Sequence, residues 1–262
     1  MRLDERQLKR RRSVATFPPG IAGAVMSSLV YAEPESDVLA RLKHIAPFVA
    51  LRTEDMLSLL AVARPAVATP GTVLPSNGPG GKVLYVLLEG SVCLMRSLPK
   101  GQRCLVEICD APCLIGEIAL FDEQSSLAVA EVLHRAIVVE LPAEIVRRCF
   151  RNSPAAQLRM LGYMSARLKR LIAQITTLKL MTGPQRLAQF LITLAERGGN
   201  GHGLHLPFDK RTLAALLGMT PESLSRAFRR LLQLGVHTAP GGDVTVDDLE
   251  RLRQFLEAET LN

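Results

Sequence analysis

Residues 209–235 read DKRTLAALLGMTPESLSRAFRRLLQLG and predict two short helices joined by a tight turn. Asp209 belongs to the residue types that cap helix N-termini. Gly218 can adopt the positive φ that a tight turn after the first helix requires. Two short helices joined by such a turn form a helix-turn-helix. The apolar face of the first helix is expected to contain Leu213, Leu216 and Leu217.

The second predicted helix begins with Thr220 as N-cap, Pro221 at the first helical position and Glu222 in the first turn. Gly235 ends this segment, and the apolar face is expected to contain Leu224, Phe228, Leu231 and Leu232. The opposite face is polar and basic near its N-terminal end, which is where a recognition helix meets base edges in the major groove. The expected DNA-contacting residues are Thr220, Glu222, Ser223, Ser225, Arg226, Arg229 and Arg230.

A small β-hairpin is predicted directly after the second helix. Residues 236–238 and 244–246 are short stretches rich in Val and Thr, and Pro240-Gly241-Gly242-Asp243 between them is a turn sequence. A further helix is expected in front of the helix-turn-helix, from about residue 184 to residue 197. The C-terminal part of the chain is therefore predicted to be a winged helix-turn-helix.

A long helix is predicted between residues 153 and 180. Its apolar residues are spaced alternately three and four apart, which is the a/d pattern of a two-stranded coiled coil. A narrow apolar stripe on so long a helix favours a partner helix, and the simplest partner is the same helix of a second subunit. Packing within one chain is the alternative. The expected dimer-interface residues are Leu161, Met164, Leu168, Leu171, Ile175 and Leu178.

The middle of the chain has a different pattern. Residues 37–63 read as two helical segments with Pro47 between them. Short Val, Leu and Ile runs between residues 64 and 142 are separated by Gly- and Pro-containing turns, which indicates a β-roll or barrel. We therefore predict an α+β fold of four segments: a disordered basic extension (1–36), a β-roll sensor domain (37–151), a dimerisation helix (152–182) and the winged helix-turn-helix (183–262).

Composition narrows the class of function. The chain has 262 residues and a net charge of +7, and residues 145–183 contain eight basic and no acidic side chains, which allows a phosphate-binding face. It has no Trp and only three Tyr, so recognition of single-stranded nucleic acid by aromatic stacking is disfavoured. The sequence contains no P-loop, nucleophile elbow, HExxH or paired-Cys motif, and we therefore expect no enzymatic activity.

The five cysteines favour a reducing compartment. Their number is odd and none has CxxC spacing, which argues against a disulfide framework and for a cytoplasmic protein. A basic start followed by the apolar run 21–30 loosely imitates a secretory signal, but Pro18-Pro19-Gly20 interrupts that pattern. No other run approaches membrane-spanning length, and no membrane association is expected.

These features together resemble the Crp/Fnr superfamily of bacterial transcription regulators, from about residue 38 to the end. The matching stretches are 85–92 (YVLLEGSV), 116–121 (GEIALF), the coiled-coil helix and 213–234. The resemblance implies an N-terminal cyclic-nucleotide-binding-type β-roll, a long coiled-coil dimerisation helix and a C-terminal winged helix-turn-helix. It also implies a homodimer that binds double-stranded DNA and works with RNA polymerase.

The recognition helix has the form E-x-x-S-R at residues 222–226, which resembles the Fnr and FixK branch rather than the cyclic-AMP receptor branch. By resemblance, the half-site is TTGAT-like and lies in an inverted repeat. Arg226 can bind guanine O6 and N7 in bidentate fashion, and Glu222 can accept from a cytosine amino group. Ser225 is small enough for a thymine methyl group to approach, whereas Arg229 and Arg230 are expected to contact phosphates.

The effector pocket expected by resemblance contains Gly116, Glu117 and Ser126. Cyclic-AMP receptors have an Arg-Ser pair about ten residues after the Gly-Glu pair to hold the phosphate, but residues 124–128 read QSSLA here, without Arg. A buried anionic phosphate needs a fixed cation or many N–H donors. We therefore expect no response to cyclic AMP, and a FixK-like regulator active without ligand or cofactor fits this sequence.

Cysteine or haem chemistry is the alternative sensing mode. Cys104, Cys109 and Cys113 could react with an oxidant or hold an iron–sulfur cluster, but Fnr places most of its cluster ligands near the N-terminus, and residues 1–92 here contain no Cys. Small buried hydrophobic residues are the simpler interpretation, with no metal expected. Haem ligated by His44 or His134 is a further alternative, as is a sensor whose DNA-binding domain has lost function.

Overall fold

The computed structural model describes residues 29–31, 40–78, 81–97, 103–121, 128–198, 203–207 and 209–258. The chain forms two compact units, and the boundary between them falls between Ala166 and Arg167, inside the long helix. The predicted segment boundaries place this helix in a domain of its own. Each unit has its own hydrophobic packing: the described residues of the first unit form two core clusters and those of the second form one.

The first unit contains two antiparallel sheets. One has the strand order β1-β2-β10-β5-β4 with β8 also paired to β5, and the other has the order β3-β9-β6-β7. The strands are β1 (Val30–Tyr31), β2 (Arg64–Ala68), β3 (Val73–Leu74), β4 (Asn77–Gly78), β5 (Gly81–Glu89), β6 (Ser91–Ser97), β7 (Arg103–Asp110), β8 (Cys113–Ile115), β9 (Val129–Val132) and β10 (Ala136–Pro142). The short strands predicted over residues 64–142 are confirmed.

Strand β5 shows why its sequence is apolar on both faces. Leu84, Val86 and Leu88 pack in the core that the helices cover. The alternate residues Tyr85 and Leu87 pack instead in the second core of the roll, because successive side chains of a strand point to opposite faces. A strand buried on both sides therefore has a continuous apolar run instead of a polar and apolar alternation.

Among the described residues, the roll contains helical residues 40–42, α1 (Thr53–Leu60) and α2 (Ala143–Arg151), and α3 (Pro154–Leu180) begins there. The two helical segments predicted on either side of Pro47 are found at residues 40–42 and in α1, with a 3₁₀ turn at Phe48–Ala50 between them. Ser153 marks the start of α3, since its Oγ accepts a hydrogen bond from the backbone N–H of Ala156 at 3.3 Å. The long helix was predicted to within one residue at its N-terminal end.

The N-terminal extension was predicted to be disordered over residues 1–36, and two of its residues correct this. Val30 and Tyr31 form β1, which pairs antiparallel with β2. Tyr31 donates a hydrogen bond from its hydroxyl to Oε2 of Glu140 at 2.6 Å, and the guanidinium of Arg64 lies 4.0 Å from the centre of its ring. The other residues of the extension, 1–28 and 32–36, lie outside the described residues.

The second unit continues from α3 with α4 (Gly183–Gly198), β11 (Gly203–His205), α5 (Lys210–Leu216), α6 (Pro221–Leu232), β12 (Val236–Thr238), β13 (Asp243–Val246) and α7 (Leu249–Ala258). Its three strands form an antiparallel sheet of order β11-β13-β12. The predicted helix before the helix-turn-helix, the two helices and the hairpin are all confirmed. The predictions did not include β11.

Two residues of the predicted apolar faces are placed differently. Leu213, Leu224, Phe228 and Leu231 are buried as expected, but Leu232 is 52% exposed and Leu216 is only half-buried. Ala227 occupies the buried position beside Phe228, where sequence reasoning named no residue. A helix of 3.6 residues per turn carries Ala227 onto the inner face between Leu224 and Leu231, while Leu232 is turned outward.

Candidate nucleic-acid interface

Both helices of the helix-turn-helix are capped by the residues that the sequence indicates. Oδ1 of Asp209 accepts a hydrogen bond from the backbone N–H of Thr212 at 2.6 Å, and this bond holds the pKa of Asp209 below its ordinary value. Oγ1 of Thr220 accepts from the backbone N–H of Ser223 at 3.2 Å, with Pro221 at the first helical position. Each cap satisfies a helix N–H that has no partner within its own helix.

The turn between the two helices needs a glycine. Gly218 has a φ of +63°, and the backbone N–H of Met219, the next residue, donates to the carbonyl of Ala214 at 2.8 Å. A side chain at position 218 would be strained in this left-handed conformation. The turn therefore fixes the direction in which α6 leaves α5.

The N-terminal half of α6 presents an exposed polar row. Glu222, Ser225 and Arg226 are exposed and Ser223 is half-buried. Ser225 donates a hydrogen bond from its hydroxyl to the carbonyl of Pro221 at 3.0 Å, and Nη2 of Arg226 donates to Oγ of Ser223 at 3.1 Å. The hydroxyl of Ser225 is therefore directed to the backbone, and the guanidinium of Arg226 is oriented by its own helix.

Glu222 is suited to accept hydrogen bonds. A hydrogen bond from Thr220 holds the pKa of the Glu222 carboxyl below its ordinary value. The carboxylate is therefore ionised at neutral pH and has no proton to donate. Arg226 contributes in the same direction through its positive charge.

The C-terminal half of α6 presents two more arginines. Arg229 and Arg230 are exposed, and Nη1 of Arg230 donates to Oε1 of Gln233 at 3.3 Å. Their distance along the helix from the N-terminal end places them away from the row that would meet base edges. All seven predicted DNA-contacting residues thus lie on one helix or at its cap.

The wing has features that sequence reasoning missed. His205 on β11 contacts Asp243 on β13, with 2.8 Å between Nδ1 and Oδ1. His237 on β12 contacts Asp247, with 3.1 Å between Nε2 and Oδ2. The alternation of Leu204 and Leu206 with His205 was a signal for β11, but a strand of three residues is too short for periodicity to be decisive.

Helix α3 displays a stripe of exposed large apolar residues. Its members are Leu158, Leu161, Leu168, Ile172 and Ile175, with exposed fractions between 52% and 70%. They follow one another at intervals of three, seven, four and three residues, and Ser165 divides the interval of seven. We refer to these five residues as the α3 stripe.

The stripe differs in part from the predicted seam. Met164 is half-buried and packs against the core of the roll, and Leu171 is also half-buried. Leu178 is 41% exposed, as the predicted seam requires, and it also lies close to the helix-turn-helix, since a Cβ at Gly218 would be 2.7 Å from its Cδ2. Leu158 and Ile172 are exposed members that the sequence interpretation did not include.

The predicted sensor residues lie in and beside the roll. Gly116 has a φ of +83°, and Glu117 is 6% exposed at the start of a 3₁₀ turn, Glu117–Leu120. Ser126 lies outside the described residues. The structure thus describes only two of the three residues of the expected pocket.

Four of the five cysteines are buried and one, Cys104, is exposed. Cys109 and Cys113 pack in the second core of the roll. Across the described ranges, no three His, Cys, Asp or Glu side chains are grouped so that they could hold a metal ion. His44 and His134 are exposed on the roll.

Comparison with known proteins agrees with this architecture. Residues 67–153 match the cyclic nucleotide-binding domain model, and residues 185–255 match the Crp-like helix-turn-helix domain model. Together the two models cover more than half of the chain. The chain belongs to the Crp/Fnr family. It is thus a DNA-binding transcription regulator of the Crp/Fnr type, with the predicted β-roll, long helix and helix-turn-helix.

Three similar proteins illustrate the family. A CRP-like cAMP-activated global transcriptional regulator of Mycobacterium tuberculosis is 26% identical over 185 residues, which are 69% of this chain and 82% of that protein. A solved regulatory protein from Silicibacter pomeroyi DSS-3 is 29% identical, with a TM-score of 0.55 over 84% of this chain and 98% of that one. FixK2 from Bradyrhizobium japonicum shares the fold at 18% identity, with a TM-score of 0.61 over 74% of this chain and 96% of that one.

The family and the structure also bear on two broader expectations, namely the lack of enzymatic activity and the lack of membrane association. Its members are transcription regulators rather than enzymes, which agrees with the lack of catalytic motifs in this Crp/Fnr chain. Among the helices that the structure describes, none has the length and apolar character needed to cross a bilayer.

Proposed function

We propose that this regulator is a homodimer that reads an inverted repeat with TTGAT-like half-sites and acts without cyclic AMP. The observation that carries the proposal is the exposed row of Glu222, Ser225 and Arg226 on a capped recognition helix. The E-x-x-S-R pattern of this row resembles the Fnr and FixK branch, which supports the choice of half-site.

The chemistry of the row fits three neighbouring bases. Nη2 of Arg226 donates to Oγ of Ser223, and the guanidinium has further N–H donors that can bind guanine O6 and N7. The ionised Glu222 can accept from a cytosine N4 amino group. Because the Ser225 hydroxyl is bound to the backbone, its Cβ is the part that can lie against a thymine methyl group.

The α3 stripe supports dimerisation through this helix. Exposed apolar surface costs about 25 cal/mol per Å² relative to burial, and five large side chains in one row are an unusual surface for a monomer. Their heptad spacing fits a second copy of the same helix in a parallel pair. Such a dimer would place its two recognition helices about 34 Å apart, one turn of DNA.

The sensor domain supports activity without cyclic AMP. Residues 124–128 contain no arginine that could hold the phosphate of a cyclic nucleotide. The M. tuberculosis relative is named as cAMP-activated, so this chain is proposed to differ from it in its response. The burial of Cys109 and Cys113 supports a packing role for them, and no cofactor is required. Double-stranded DNA and RNA polymerase in the cytoplasm are the proposed partners.

The proposal is tested by titrating purified, ligand-free protein against a fluorescent TTGAT…ATCAA duplex and a scrambled duplex at near-physiological salt. We expect the palindrome to bind at least about 10³-fold more tightly, and added cyclic AMP to leave the affinity unchanged. Arg226→Ala is the control that should reduce this difference. If both duplexes bind equally and the palindrome is preferred only after oxidant, haem or cyclic AMP is added, DNA binding depends on an effector.

A further inference from the structure

The side chain of Arg186 joins the end of α3 to the turn of the helix-turn-helix. Arg186 lies in the first turn of α4, and its Nη1 donates to the carbonyl of Met181 at 2.6 Å. Its Nε donates to the carbonyl of Leu217 at 2.7 Å. Met181 directly follows α3 and Leu217 directly follows α5, so one guanidinium binds the C-terminal ends of two helices.

This arrangement is electrostatically favourable. The last carbonyls of a helix have no partner within the helix, and the C-terminal end carries a partial negative charge. A guanidinium offers several donors in a rigid plane and can bind two such carbonyls at once. Arg186 therefore satisfies acceptors of both helices and holds their ends at a fixed separation.

The same two segments approach each other at a second point. A Cβ at Gly218 would lie 2.7 Å from Cδ2 of Leu178, and a Cβ at Gly183 would lie 2.9 Å from Sδ of Met219. Leu178 is in the last turn of α3, and Gly183 begins α4. Van der Waals contact between these segments thus accompanies the hydrogen bonds of Arg186.

The connection between α3 and α4 is also fixed locally. Gln185 is 2% exposed, and its Oε1 accepts from the backbone N–H of Thr182 at 2.7 Å and from Oγ1 of Thr182 at 2.8 Å. The backbone N–H of Arg186 donates to the carbonyl of Thr182 at 3.0 Å. The connection is therefore a hydrogen-bonded corner that carries Arg186 in a defined position.

We infer that Arg186 is a positioning residue for DNA binding, which holds the recognition helix at a fixed place relative to the end of the dimerisation helix. Only three residues separate Leu217 from Pro221, where α6 begins. A fixed turn thus fixes Glu222 and Arg226 with respect to α3. In a dimer built on α3, this sets the spacing of the two half-sites, so the inference depends on the proposed function.

The test uses a series of TTGAT…ATCAA duplexes whose spacer changes one base pair at a time. Wild-type protein should bind one spacer much more tightly than its neighbours. Arg186→Gln should lose about tenfold or more in affinity for that spacer, because two hydrogen bonds of a charged group are removed. It should bind the neighbouring spacers almost as well as wild type, which flattens the spacer profile.

Matched variants separate positioning from folding. Arg253→Gln removes an exposed arginine that pairs with Glu196 and Glu250 and should leave the spacer profile unchanged. Arg186→Lys keeps the positive charge, but its single nitrogen replaces the two arginine nitrogens that bind the Met181 and Leu217 carbonyls. Its spacer profile should therefore lie between those of wild type and Arg186→Gln. This variant carries the test if Arg186→Gln does not fold. Thermal unfolding and dimer mass are measured for each.

The outcomes are distinct. A flattened profile in a folded, dimeric Arg186 variant supports the inference. A wild-type spacer profile in the Arg186 variants overturns it and leaves the proposed function intact. Wild-type protein that does not distinguish the palindromes from scrambled DNA contradicts the proposed function itself, and the inference with it.

Discussion

Oγ of Ser223 accepts a hydrogen bond from Nη2 of Arg226 at 3.1 Å, one helical turn further along α6. The same oxygen lies 3.2 Å from Oγ1 of Thr220, which caps the helix. The residue that caps the recognition helix is thus connected through Ser223 to the guanidinium proposed to read guanine. An arginine oriented before it meets DNA loses less conformational entropy on binding.

The first prediction concerns this pair. Arg226→Ala should weaken binding to the palindrome by about 1–3 kcal/mol and relax specificity at one guanine, because a bidentate base contact is lost. Ser223→Ala should have a smaller effect in the same direction. In the double variant the effects should not add, since Ser223 acts through Arg226. Competition binding against duplexes with each base at that position measures both quantities.

Arg229→Ala is the matched control on the same helix. Because a phosphate contact is lost, the affinity should fall equally for all DNA sequences. The slope of log affinity against log salt concentration should decrease by about one. If Arg226→Ala and Arg229→Ala instead behaved alike on every base substitution, the assignment of Arg226 to base recognition would be wrong.

The second prediction concerns the cap of α5. Asp209→Ala should lower the free energy of unfolding by about 1 kcal/mol, because the backbone N–H of Thr212 loses its partner. Asp209→Asn keeps a capping oxygen and should cost less. Urea unfolding of the three proteins at neutral pH gives the comparison.

The pH dependence of this cap has a defined sign. The pKa of Asp209 is lowered in the folded chain, chiefly by the Thr212 backbone hydrogen bond, so its ionisation stabilises the fold above the ordinary pKa of about 4. This stabilisation is lost as the pH falls through the lowered pKa. The difference in unfolding free energy between wild type and Asp209→Asn should therefore shrink below about pH 4. A difference that stays constant with pH would show that ionisation does not matter there.

The third prediction distinguishes the α3 stripe from its neighbours on the helix. Ile172→Glu places a charge in the exposed stripe and should convert the dimer to a monomer, because a buried unpaired charge at the helix pair is strongly unfavourable. Arg170→Glu changes an exposed position off the stripe and should leave the dimer intact. Sedimentation of both variants against wild type reads out the association.

Met164 gives a second comparison on the same helix. It is half-buried against the core of its own roll, so Met164→Ala should lower the unfolding free energy by about 1–2 kcal/mol without changing the affinity of the subunits for each other. A dimer weakened by Met164→Ala but not by Ile172→Glu would favour the predicted seam over the α3 stripe.

The sequence predicted the helix-turn-helix in detail because local signals there agree with one another. Asp209, Thr220, Pro221 and Gly218 each have one strongly preferred structural role, and all four hold it in the structure. Signals of this kind depend on a few neighbouring residues and need no knowledge of tertiary packing.

The parts that sequence reasoning missed depend on tertiary contacts. Spacing alone cannot tell which side of α3 faces the roll: the predicted seam includes Met164, which packs against the roll, and omits Ile172, which is exposed. The bonds from Arg186 to the carbonyls of Met181 and Leu217 involve backbone acceptors, which leave no pattern in the sequence. The pairing of Val30 and Tyr31 with β2 is likewise a long-range contact of a very short strand.

The last prediction concerns Tyr31, which donates to the buried carboxylate of Glu140. Tyr31→Phe should lower the unfolding free energy at neutral pH by about 2 kcal/mol, since a hydrogen bond to a charged group is lost. Tyr85→Phe is the comparison at the same carboxylate, because the buried Tyr85 hydroxyl lies near Glu140 without forming a well-aligned hydrogen bond to it. Removing that hydroxyl should cost little or stabilise the roll. Chemical denaturation of both variants tests the difference.

The dependence of the unfolding free energy on pH above neutrality provides an independent check on Tyr31. Burial and the hydrogen bond to Glu140 raise the pKa of Tyr31, so its protonated form is favoured in the folded chain. The stabilisation is complete below the ordinary pKa of about 10 and is lost as the pH rises above it, because the unfolded chain releases this proton first. The advantage of wild type over Tyr31→Phe should therefore decrease above about pH 10. An advantage that persists there would mean that packing of the ring, rather than its hydroxyl, holds β1 on the sheet.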